Sequence, residues 1–505
     1  MWWYSWLTYL CASVCMVMNF LQWSRRKTNA KFAKMSGPRR LPLIGHAHKF
    51  FRATPGKIAN TLKYFGSFPS PVCIYMGPLP HVAIFDPEQL QVILNSQNCL
   101  DKSIQYSFLR VSRTMISAPT HLWKNQRKAL NPSFAPAILN NFVPIFNEKC
   151  AILTGLLGKY VGQPERNYTR DLCKFTLDQI YATALGCDFD MQRSPDGERS
   201  LDLIESYIKV MVARIFTVWK YPEFIYRMTS GYKREQEILK TYHETIISKL
   251  LRAIDFEEKL KLSDENNNEA MNEDTGSKKP NIFIDRLLKL MRDGDEIAKE
   301  DIFQQIDMIL FAGNDTTAKT TSFILLMLAM HPEVQERCYQ EIMAVCPGEN
   351  QIVTAEDAAE LIYLEMACKE TMRLFPVGSV LARVTTADIK LNDEHTIPAD
   401  STIIMGIYQI HRDPKIWGPK ADEFDPNNFL PERAEKRHPY SFLPFSGGPR
   451  NCVGMRYAWL SLKVLVVHML RKYRLSTSLT MDQIRIKYGI ILNIANGCLL
   501  TLEKR

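Results

Sequence analysis

The chain has 505 residues, 46% of them hydrophobic, and a formal net charge of +9. That is enough apolar material for a deep core, and no basic block long enough to hold nucleic acid occurs. Its twelve cysteines have no regular spacing and form no Cys-x-x-Cys pair, which argues against a disulfide framework or a zinc site and for reduced thiols facing cytosol.

The first 24 residues carry no charged side chain and are followed by Arg25, Arg26, Lys27, Lys31 and Lys34. A stretch of ~20 apolar residues spans a bilayer, and the basic cluster stays on the cytosolic side. Residues 1–24 therefore read as an N-terminal membrane anchor. The alternative, a cleaved signal peptide, lacks a basic start and a small-residue cleavage site.

Residues 36–46, "SGPRRLPLIGH", are predicted to form a stiff proline-rich hinge. "VCIYMGPLPHVAIFDPEQLQVIL" predicts strand, Gly-Pro turn, strand, and a helix opened by Asp86 and Pro87. Helical periodicity dominates from about 120 to 260. The polar run 263–280 predicts a disordered surface loop. A long helix is predicted over about 298–329 and another over 356–375. Short strands and turns follow over 380–450, and the C-terminus predicts a hairpin turning at Asn496-Gly497. The predicted architecture is mainly α with small β-sheets. One large domain, 47–505, stands behind the anchor and hinge.

"FSGGPRNCVG" (445–454) sets Cys452 in a glycine-rich turn before an apolar stretch that predicts a helix starting at the cysteine. A helix N-terminus favours a thiolate. Gly447 and Gly448 allow the backbone to curl beneath the sulfur, and Gly454 leaves room for a flat group. Phe445 shields that group from water, and Arg450 faces an anionic edge. These demands suit a haem held by one axial thiolate. The competing reading is a buried cysteine capping a helix.

The chain resembles the cytochrome P450 superfamily along essentially its whole length. Besides the cysteine loop, "KETMRLFP" (369–376) matches the family's Glu-x-x-Arg helix, "LWKNQRK" (122–128) its propionate-contacting helix, and "AGNDTT" (312–317) its oxygen groove. The resemblance implies the P450 fold and a non-covalent haem b whose iron takes Cys452. It implies Trp123, Arg127, Arg383 and Arg450 at the propionates, and Glu370 with Arg373 as a structural lock. Thr316 would bind dioxygen and Asp315 would relay protons.

"IHRDP" (410–414) and the cysteine loop look closest to the family-four clan, which includes fatty-acid ω-hydroxylases. Two residues depart from that pattern. Ala312 stands where many clan members carry a Glu that esterifies haem. Asn428 in "FDPNNF" stands where the lock has a second Arg.

The resemblance further implies a monooxygenase on the cytosolic face of the endoplasmic reticulum. It would act on a fatty acid, terpenoid, hormone or foreign lipophile. Electrons would come from NADPH through cytochrome P450 reductase, with cytochrome b5 as an optional donor. Lys124, Lys128 and Arg456 would form the docking patch. Membrane lipid is the other expected partner. A haem-thiolate isomerase and a degenerate haem-binding protein are the alternatives.

Overall fold

The computed structural model describes residues 30–41, 44–50, 54–77, 79–253, 282–292 and 299–505, with isolated positions 12, 13 and 16. The expected anchor over 1–24 falls almost wholly outside these residues, and the expected loop over 263–280 wholly so. Among the described residues no helix is long and apolar enough to cross a membrane.

Helix α1 (Pro55–Phe65) leads into β1 (Val72–Met76) and β2 (Leu79–Ile84), joined through Gly77 at a φ of 63°. Helix α2 (Pro87–Asn95) starts as expected, with Asp86 accepting from the Gln89 amide at 3.0 Å. Helices α3 (Thr120–Leu130), α4 (Val143–Leu157), α5 (Thr169–Ala184) and α6 (Pro195–Ile215) follow.

Helix α7, Lys299–Met330, has 32 residues and runs about 48 Å. It packs against α5 and is the spine of the molecule. Its polar stretch is satisfied internally. The Thr316, Thr320, Thr321 and Ser322 hydroxyls each donate to the carbonyl four residues back, at 2.6–2.9 Å. Asn314, 2% exposed, accepts from Thr176 of α5 at 2.7 Å.

The single helix expected over 356–375 is two. Helix α8 (Ala355–Glu360) ends at Leu361, and α9 (Ile362–Leu374) begins anew. The carboxylate of Glu341, from a preceding helix, accepts from the Tyr363 and Leu364 amides at 2.7 and 2.9 Å. A distant acid thus caps a helix start that the local sequence does not mark.

Strands β3 (Val380–Val384) and β4 (Thr402–Gly406) complete a four-stranded sheet in the order β1-β2-β4-β3, with β2 and β4 parallel. Helix α10 (Met455–Lys472) is buried through its second half and packs on α4 and α7. It begins three residues after Cys452, so the expectation of a helix starting at the cysteine is corrected.

Strand β5 (Tyr473–Ser476) follows α10, and β6 (Ile486–Tyr488) pairs with β7 (Leu492–Ile494). The last strand, β8 (Leu499–Lys504), pairs with β5 and the short strand Arg166–Asn167, not with β7. The expected terminal hairpin is therefore two sheets. Gly497, at a φ of 80°, turns the chain from one to the other, and Leu500 and Leu502 are 1% and 0% exposed on arrival.

Candidate active site

The loop carrying Cys452 is held from both ends. Its amide donates to the Phe445 carbonyl at 3.0 Å, and Gly448 sits at a φ of 67°. A Cβ on Gly448 would stand 2.0 Å from the Leu94 carbonyl oxygen at the end of α2. The glycine is thus required by close packing on α2 and by its left-handed backbone. Gly454 leaves open space: the one atom near its absent Cβ is Cys452 Sγ, at 4.0 Å.

Among the described cysteines Cys452 alone is exposed, and the surface it shows lines an interior cavity of about 350 Å³. Burial pushes its thiol up, while the Gly454 amide and the Arg127 charge pull it back down. Ala312, Gly313 and Thr316 of α7 line the same cavity, as do Phe445 and Gly454 of the loop.

The cavity's charged residues are all cations. Arg127 (α3), Arg383 (β3), Arg450 and Lys102 line it. Arg127 donates to the Asn451 carbonyl and side-chain oxygen, both at 2.9 Å. Arg383, 2% exposed, donates to the Ala382 carbonyl at 3.1 Å and interacts with the Tyr106 side chain. Arg450 stacks 4.5 Å over Trp123, donates to the Ile116 and Ala118 carbonyls, and leaves its Nε unpartnered.

Among the described residues none of these cations is within ion-pairing distance of a carboxylate. The one acid acting on Arg450, Asp101, is already engaged by the Thr120 amide at 2.8 Å and hydroxyl at 2.6 Å. Burial and mutual repulsion push Arg450 down to about 10, Lys102 well below its usual value, and Arg383 down by burial. Buried cations without counter-ions are costly. The donor set fits a planar apolar group with an anionic edge, which is how haem presents its propionates.

Sequence reading named Arg127, Arg383, Arg450 and Trp123 for this edge and missed Lys102. Lys102 stands beside Asp101 and before Ser103, and nothing in that local sequence marks it as a cavity residue.

Asp315 does not share the cavity. It pairs with Lys319 at 2.7 Å and lines a larger, more open groove of about 1370 Å³ between α5, α6, α7 and the β6–β7 turn. The groove holds no part of the cysteine loop. Neighbours in sequence, Asp315 and Thr316 thus face different spaces.

Glu370 and Arg373 on α9 are both 0% exposed and form a bidentate pair at 2.7 Å. Arg373 also donates to the carbonyls of His411, Ala421 and Glu423 at 2.8, 2.5 and 3.0 Å. Asn428 Nδ2 donates to Glu370 Oε1 at 3.0 Å.

His411, fully buried, links this lock to the cysteine loop by accepting from the Leu443 amide at 2.8 Å. Burial pushes it down to about 3, with Arg373 adding to the fall, so it is a neutral acceptor near neutral pH. Its role was invisible in "IHRDP" because its partner lies 32 residues away.

The sequence pattern of the family described as Cytochrome P450 matches residues 35–500. Curated relatives extend over nearly the whole chain. Probable cytochrome P450 313a4 of Drosophila melanogaster is 30% identical over 99% of both chains. Cytochrome P450 4c21 of Blattella germanica is 31% identical over 94% of this chain and 93% of its own. Human cytochrome P450 4V2 is 30% identical over 92% of this chain and 89% of its own. With the cysteine loop, the cation-edged cavity and the buried lock, these likenesses establish that the chain belongs to the cytochrome P450 family and is a haem-thiolate monooxygenase.

Proposed function

We propose that this chain inserts one atom of dioxygen into a lipophilic substrate, a fatty acid, terpenoid, hormone or foreign lipophile, with electrons from NADPH passed through a reductase. The observation carrying this reading is the apolar cavity that gathers Cys452, Thr316 and the unpaired cations. Bound haem would supply dioxygen activation, and an axial thiolate favours O–O cleavage.

In this reading Cys452 ligates iron. Arg127, Arg383, Arg450 and Lys102 neutralise the propionates, with Trp123 backing Arg450. Phe445 and Gly454 border the ring. Ala312 offers only a methyl, so haem stays non-covalent. The Thr316 hydroxyl, now on the Ala312 carbonyl, turns to hold a proton at Oγ1 for the oxygen site. Asp315 draws protons from the open groove. Glu370 and Arg373 brace the loop from behind.

Residues 1–24 would anchor the chain in the endoplasmic reticulum with its body in the cytosol. Trp219, Phe224 and Met228, at 59, 70 and 83% exposed, would add contact with lipid.

Thr316→Ala tests the reaction. Thr316 bonds only its own helix, so the variant should fold and take up haem normally. Product formed per NADPH, with reductase and a panel of lipophiles, should fall about tenfold as electrons leave as peroxide or water. Unchanged coupling would make the hydroxyl structural. Wild-type protein that consumes no NADPH with any substrate would instead favour a haem-binding protein without turnover, the reading to which Asn428 lends weight.

Lys124 and Lys128 are exposed on α3, and Arg456 is exposed at the start of α10. This patch would steer an acidic reductase, and cytochrome b5 would use the same face. Reversing both lysine charges should raise the KM for reductase roughly tenfold at low salt and much less at high salt. An unchanged KM at low salt would remove the patch from the interface.

A further inference from the structure

The lock behind the cysteine loop pairs one carboxylate with one guanidinium and a neutral Asn428, and the fold brings a second cation to the same place. Arg437 is half-buried beyond the short helix Pro431–Ala434. Its Nη2 donates to the backbone carbonyl of Asn428, the residue whose side chain donates to Glu370 at 3.0 Å.

The Arg437 guanidinium lies 4.2 Å over the ring of Trp417 and 5.8 Å from that of Phe429. Arg373 lies 4.9 Å over the same indole. Trp417 is itself fixed by an Nε1 bond to the Ile410 carbonyl at 3.0 Å. Two guanidiniums thus share one indole beside one carboxylate. Like charges are brought this close only where an anion and aromatic faces offset their repulsion. Burial, with repulsion from Arg373 and Arg433, pushes Arg437 down, and Glu370 is the neighbour that pulls the other way.

We infer that Arg437 is a positioning residue of the haem site. It supplies the second cation of the Glu370–Arg373 lock through Asn428 and Trp417, in place of an arginine at 428. The charge has moved nine residues along the chain but stays in one electrostatic cluster. Its effect reaches the cysteine loop through the same packing. Phe429 meets Phe442 at a 4.7 Å ring separation, and Phe442 is next to Leu443, whose amide is held by His411.

The other use of Arg437 would be plain packing on Trp417, and charge separates the two. Arg437→Gln keeps a polar stem over the indole and removes the cation. Arg437→Lys keeps the cation and loses the planar fork. Asn428→Arg in the Arg437→Gln background returns a guanidinium beside Glu370, into space the glutamine leaves.

The measurement is the rate at which purified holoprotein loses haem to an excess of a haem-scavenging apoprotein, together with the fraction of thiolate-type carbon-monoxide spectrum retained. Arg437→Gln should lose haem about tenfold faster than wild type, and Arg437→Lys less than threefold faster. The double variant should return to within about twofold of wild type.

Haem loss at the wild-type rate in Arg437→Gln would overturn the assignment. So would failure of Asn428→Arg to slow the loss in that background, because packing on Trp417 gives no reason for rescue by charge. If Arg437→Gln does not yield holoprotein, the comparison moves to yield. Holoprotein recovered in the double variant supports the assignment, and none recovered overturns it.

Discussion

Replacing Cys452 by alanine is expected to abolish both the thiolate-type spectrum of the reduced carbon-monoxide complex and all product formation. The size of the effect follows from the absence of a substitute among the described cysteines. Of the other nine described cysteines, eight are buried and the ninth, Cys173, lines the separate open groove. Burial raises the thiols of Cys173 and Cys368, and it pushes Cys99 up to about 12. None of these nine lines the cavity. The cation cluster at the cavity edge is untouched, so the variant should still bind some haem, with altered ligation. A thiolate-type band surviving in this variant would remove Cys452 from the iron.

Arg373→Ala should be nearly as damaging, by loss of structure. It would leave Glu370 charged and fully buried, with only the Asp425 amide and the Asn428 amide group on Oε1. Breaking a buried pair costs about 3–5 kcal/mol. The freed carbonyls of His411, Ala421 and Glu423 add to that. Against typical stabilities of about 5–15 kcal/mol, much of the protein would be unfolded or apo.

Urea midpoints of the variant and of Glu370→Leu/Arg373→Met provide the check. The double change removes both charges and should cost less than Arg373→Ala alone. A single variant with a wild-type midpoint would mean the pair is not what braces the loop.

Local chemistry was legible in the sequence wherever neighbours along the chain decide the outcome. Asp86-Pro87 starts a helix, Gly77 turns between strands, and "FSGGPRNCVG" marks its cysteine. Glu370 and Arg373, one helical turn apart, pair as their spacing predicts.

What could not be read depends on partners distant in sequence. Leu361 splits a helix because Glu341 caps its second half. The terminal strands part because β8 completes a sheet begun near Arg166. Lys102, His411 and Arg437 acquire meaning only when folding brings them to the cavity edge, to Leu443 and to Trp417. The tight contact of Gly448 with the Leu94 carbonyl also depends on a partner far along the chain.

The separation of Asp315 from Thr316 has a consequence for traffic through the enzyme. Successive helix residues point about 100° apart, so at this level α7 is a partition one residue thick. Its outer side holds the Asp315–Lys319 pair in a wide groove, and its inner side holds Thr316 in an apolar chamber. Gly313 keeps the partition tight, since a methyl there would press within 2.6 Å of Ile180 on α5. A hydrocarbon filling the inner chamber therefore lies across α7 from Asp315. In the proposed reaction hydrogen ions would come from the Asp315 side of α7 and the substrate would lie on the Thr316 side, so a bulky guest would not fill the space that supplies its own acid.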